Sequence, residues 1–105
     1  MAAASFNENQ LLLAEKFKEE IGQVSWSWLR PHEKRKILFL VVDELDLIEV
    51  AVAVAEDDKR QVKSWLDCGS LVQPSLKQVA EWEKNGGLFS GIIVKPFVFF
   101  KVAAV

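Results

Sequence analysis

The side chains best equipped for chemistry sit together in Trp26-Ser27-Trp28-Leu29-Arg30-Pro31-His32. His32 is the single histidine, and its imidazole titrates near neutral pH, so it can serve as a general base or a polar handle. The indoles of Trp26 and Trp28 offer flat faces for stacking on a ligand or peptide, and Arg30 adds a fixed positive charge. The competing reading is structural: the tryptophans pack a core or hinge and His32 caps the turn around Pro31. His32 is also the only residue that could complete a Ser-His-acid triad, but nothing resembling a nucleophile elbow accompanies it.

The second chemical feature is acidic. Asp43, Glu44, Asp46, Glu49, Glu56, Asp57 and Asp58 fall in one stretch that contains no base. A hard cation would draw oxygen ligands from this set, with Asp43, Asp46 and Asp57 the foremost candidates. The spacing lacks the glycine of a calcium loop, and no metal or cofactor is expected. Arg30, Lys34, Arg35 and Lys36 form an opposing basic block broken only by Glu33. The simplest account of the two blocks is charge pairing, with Lys36 near Glu56; exposed pairs of this kind are usually worth under ~1 kcal/mol each. The single cysteine, Cys68, excludes an intrachain disulfide and a Cys/His zinc set. Its place at a helix C-terminus beside Asp67 disfavours the thiolate.

These residues need a scaffold, and the composition describes one. Half of the 105 residues are hydrophobic and 27% are charged, with a net charge of −2. That balance fits one compact soluble domain over 1–105, with 1–5 as a disordered tail, and argues against a dedicated nucleic-acid surface. No secretory signal opens the chain. The apolar stretch from Ile92 to Val105 is interrupted by Lys95, Pro96 and Lys101 and is shorter than the roughly 20 residues that span a bilayer. A reducing, cytoplasmic setting follows from the missing signal and the lone thiol.

Periodicity and caps place the elements. Asn7 caps a helix to about Ile21, with Gln10 completing a capping box, Phe6 stapled to Leu11, and Gly22 as the stop. The residue before a proline avoids helical dihedrals, so the tryptophan segment is expected to be a short turn or helical hook ending at Pro31. Ile37 to Val42 and the alternating Ile48 to Ala55 predict a hairpin turning at Asp43–Asp46, although the alanines keep a helix open for the second run. Further helices are expected from Asp57 or Asp58 to Cys68, closed by Gly69, and from Ser75 to Asn85, opened by a Ser75/Gln78 capping box. A last strand runs from about Ile92 to Val102, at a sheet edge or bulged because Pro96 lacks a donor. The order αββααβ describes an α+β fold, one layer of mainly antiparallel sheet covered by three helices.

Several blocks then resemble a known family in order: Trp26-x-Trp28-Leu29-x-Pro31-His32, Leu45-Asp46-Leu47-Ile48-x-Val50 and Ala53-Val54-Ala55-Glu56-Asp57. Val62-x-x-Trp65, Pro74 with Trp82, and Ile93-Val94-x-Pro96-Phe97-Val98 continue the likeness. The family is a small bacterial one, common in photosynthetic bacteria and proteobacteria and catalogued only as a domain of unknown function. Lys95 departs from it, standing where a glutamine is expected. The resemblance implies a single cytoplasmic domain and no particular activity.

The functional expectation is a non-catalytic protein-interaction domain whose partner is itself or another protein, with neither nucleic acid nor membrane involved. Trp26, Trp28, Arg30, His32, Phe97 and Phe99 are the expected binding residues. The C-terminal strand carries surplus aromatic surface that a homodimer would cover. The alternative is a small ligand-binding protein or enzyme using His32, Trp26, Trp28 and nearby carboxylates. A helix-turn-helix regulator built on the two helices after Asp57 comes third; their acids and bases balance, which counts against it.

Overall fold

A computed structural model describes residues 6–42 and 44–102; the expected tail over 1–5 and the carboxylate of Asp43 lie outside them. In chain order the elements are α1 (Glu8–Glu20), β1 (Gly22–Ser25), α2 (Trp26–Lys34), β2 (Leu38–Val41), α3 (Leu47–Ala55), α4 (Lys59–Cys68), β3 (Leu71–Val72), α5 (Leu76–Asn85), β4 (Leu88–Val94) and β5 (Phe97–Val102). The class is α+β. Its layout is richer than expected, with five helices and five strands among the described residues.

The capped helices form where their end signals place them. The Asn7 side chain accepts from the Gln10 amide at 2.8 Å, and Gln10 returns the bond to the Asn7 amide at 3.0 Å. Phe6 packs into the core beneath α1, whereas Leu11 is half-exposed, so Phe6 serves the core more than the helix end. Ile21 is already extended and Gly22 begins β1, so α1 stops without a left-handed glycine. At α4, Asp58 caps the Gln61 amide and Gly69 closes the helix at φ 83°. The Ser75/Gln78 box opens α5.

Three expectations need correction. The tryptophan segment does not end at Pro31: α2 continues to Lys34. Proline removes one donor and biases its neighbour, but burial of Trp26 and Leu29 on one side holds the turn together. The run from Leu47 to Ala55 is a helix, not the second strand of a hairpin. Asp46 caps the Ile48 amide at 3.2 Å, and Leu47, Val50, Ala51, Val52 and Ala53 are all buried. A helix wrapped on most sides needs apolar residues all round, so its valines imitate strand alternation without forming a strand. Finally, the expected last strand is part of a hairpin, β4 and β5, turning at Lys95-Pro96, where no ladder donor is required.

The sheet order is β1-β4-β5-β2-β3. All neighbours are antiparallel except β5 and β2, which run parallel with Phe39 opposite Phe99. The C-terminal strand is therefore the middle of the sheet rather than its edge; the edges are β1 and β3.

Successive side chains point to opposite faces. On one face, α1, α3 and α4 cover Val41, Leu71, Ile92 and Phe99. On the other, α2 and α5 cover Leu38, Leu40, Phe89, Val98 and Phe100. Consequently α4 and α5 lie on opposite sides of the sheet, with β3 between them, and do not form a consecutive helix-turn-helix unit. Among the described residues no helix is long and apolar enough to cross a membrane.

Candidate functional site

The four residues that first suggested chemistry are divided by α2. Trp26 points inward and is 3% exposed. Its ring lies 5.2 Å from Trp82 and 6.4 Å from Phe89, which in turn packs edge-on to Phe100. The Trp26 indole donates to Glu83 Oε2 at 2.9 Å, and Arg30 Nε donates to the same oxygen at 2.7 Å. The indole bond, then the guanidinium, hold the Glu83 carboxyl below the ordinary carboxylate range. This arrangement ties α2 to α5.

Trp28 faces outward, 38% exposed, with its ring 5.1 Å from that of His32. The Nδ1 atom of His32 is buried without a hydrogen-bond partner. The ring it meets is the Trp28 indole, and no described carboxylate hydrogen-bonds to it. His32 therefore has no carboxylate orienting its ring, which a Ser-His-acid triad would need.

The acids are dispersed as well. Asp46 caps one end of α3, and Asp57 lies beyond the other, with nine helical residues, about 14 Å of rise, between them. Lys36 pairs with Glu33 at 3.4 Å instead of approaching Glu56, because the hairpin that would have joined them is absent. Glu56 instead accepts from Gln10 Nε2 at 2.7 Å. Among the described residues no three His, Cys, Asp or Glu side chains are placed to hold a metal. Glu49, half-buried on α3, has its carboxyl pushed up by burial and by Asp46, with Lys101 opposing. Cys68 is exposed, with Sγ 3.2 Å from Ser70 Oγ.

An apolar concavity lies elsewhere, between α4 and the sheet, with a volume of about 290 Å³. Phe39, Phe97 and Phe99 form its floor: the Phe39 ring is 5.8 Å from Phe97, edge-on, and 5.9 Å from Phe99. Val54, Val62, Leu66 and Leu71 supply the walls. The rim carries Asp57, Asp58, Lys59 and Lys63. The backbone turns sharply from α3 into α4 at Asp57, whose φ is 57°, and this brings the rim over the rings. Of the expected binding residues, Phe97 and Phe99 meet here, whereas Trp26, Trp28, Arg30 and His32 lie on α2, across the sheet. Phe39, Val62, Leu66 and Leu71 come from three further elements, and no spacing in the sequence aligns them.

The fold thus defines a small α+β domain in which helices cover both faces of a mixed sheet. The chain belongs to the DUF2288 family, described as a protein of unknown function, whose model matches residues 12–102. No curated protein matches it. Among solved structures it is similar to the NMR solution structure of PA1075 from Pseudomonas aeruginosa. The two are 29% identical with a TM-score of 0.75, over 98% of this chain and 95% of that one.

Proposed function

We propose that this chain is a non-catalytic, cytoplasmic ligand-binding domain that takes an apolar group into the groove between α4 and the sheet. The observation carrying this reading is the groove itself: a concavity of about 290 Å³ over three phenyl rings, in a domain whose other face is closed by aromatic contacts. Ligand sites are typically concave and mostly apolar, with volumes of about 300–1,000 Å³, and this groove stands at the small end of that range. Phe39 and Phe97 are only half-buried and Leu66 is 44% exposed, so a guest would remove apolar surface from water at roughly 25 cal/mol per Å². Self-association through β5 has less support, since β4 and β2 occupy both of its edges.

Xenon, a general probe of apolar cavities, tests the reading directly. Under xenon pressure, methyl resonances of Val54, Val62, Leu66 and Leu71 should move while those of Leu29 and Val98 on the other face stay still. Silence at the groove methyls overturns the proposal. If the chain also elutes as a dimer, that silence favours a protein-interaction domain instead.

A further inference from the structure

Resting on that reading, the geometry points to one class of guest: we infer that the groove takes an uncharged aromatic molecule of one or two fused rings, about the size of indole. Volume sets the scale. A cavity of roughly 150 Å³ accommodates benzene; a groove of about 290 Å³ has room for a second ring.

The rim sets the charge. Each ionic group at the mouth already has an internal role. Lys63 pairs with Asp67 at 2.8 Å, Lys59 stands 3.9 Å from Asp57, and the Asp58 carboxylate accepts from the Gln61 amide as the α4 cap. The signs balance, two acids against two bases on the rim. Both ion pairs are solvent-exposed, so the rim charges offer a charged guest of either sign little beyond what water offers it. Entering the apolar groove would cost such a guest part of its own hydration, so charge brings no net gain.

The floor sets the chemistry. Phe39 meets Phe97 edge-on and lies tilted over the buried Phe99, so Phe39 and Phe97 are the rings left part-exposed. A flat guest can complete this set with offset or edge-to-face contacts, which aromatic pairs favour beyond the area they bury. An aliphatic ring of equal volume gains the burial without those contacts.

The test is an NMR titration of the full chain with indole, indole-3-acetate, tryptamine and cyclohexanone, following the same groove methyls as under xenon. Indole should shift them saturably and bind at least as tightly as either charged analogue. Cyclohexanone should bind about three- to tenfold more weakly. Val62→Phe, or Leu66→Phe if the first variant folds poorly, should abolish the indole shifts, whereas Lys59→Gln should leave indole affinity within about twofold. Tighter binding of either charged analogue, or equal binding of cyclohexanone, overturns the inference. If xenon moves the methyls and indole does not, the inference fails while the binding reading stands; if xenon also fails, both fall.

Discussion

The two faces of the sheet solve the same burial problem with different side chains. Under α2 and α5, Trp26, Trp82, Phe89 and Phe100 interlock at centroid distances of 5.2 to 6.4 Å, and Glu83 ties the two helices together. On the opposite face, α3 brings mainly valines and alanines, while α4 packs Val62 and Trp65 against the core and leaves Leu66 exposed. Small side chains let α3 lie close to the sheet, but α4 stands off over Phe39 and Phe97. The strands supply large rings to both faces, and the groove lies where α4 leaves Phe39 and Phe97 partly uncovered.

That contrast can be broken at its most rigid point first. Phe100→Ala on the closed face should cost about 3–5 kcal/mol in urea unfolding, since the ring is fully buried and its neighbours cannot collapse into the space. Phe97→Ala on the open face should cost less, about 1–2 kcal/mol, because the ring is already part-exposed. Equal losses at the two positions would mean the groove is as tightly packed as the opposite core.

Acidity sharpens the comparison further, because one carboxylate on each face is displaced in opposite directions. Glu83 is held low, so its contribution is present above the ordinary carboxylate range and is lost as pH falls through its lowered value. Glu83→Gln should therefore flatten the acid limb of a plot of melting temperature against pH. Glu49 is pushed up, so the folded state retains its proton longer than the unfolded chain. Stability then declines as pH rises from the ordinary value through the raised one, and stays lower above it. Glu49→Gln should match the parent in acid and melt slightly higher at neutral pH, the smallest of these effects. A lower neutral melting temperature in Glu49→Gln would assign the carboxylate a stabilising role that its burial does not suggest.

What the sequence made legible depended on whether the signal was local. Asn7, Asp58, Gly69 and Ser75 act within a few residues of themselves, and the helices they bound lie within a residue or so of expectation. The burial of α3 is a tertiary fact: Ile48 to Ala55 reads as strand until α1, α4 and the sheet are seen to enclose it. β1 and β3 are short, and Gly22-Gln23-Val24-Ser25 has no apolar alternation to announce pairing with β4. At the groove, Phe97 and Phe99 stood out as aromatic surplus. Phe39 lay inside a continuous apolar run and Val62 on an ordinary amphipathic stripe, so only folding reveals that they line one groove.

The place of β5 has a consequence for synthesis. It follows every other described element in the chain, yet it joins two otherwise separate strand pairs, β1 with β4 and β2 with β3. Until Phe97 to Val102 has been made, each pair has an open inner edge, and a two-stranded sheet is marginal in water. Pairing Phe39 with Phe99 also closes a loop over more than half of the sequence, the kind of distant contact that slows folding. Assembly of this domain is accordingly a late, cooperative event. A chain interrupted before Phe97 would present two bare strand edges, the template on which neighbouring chains aggregate.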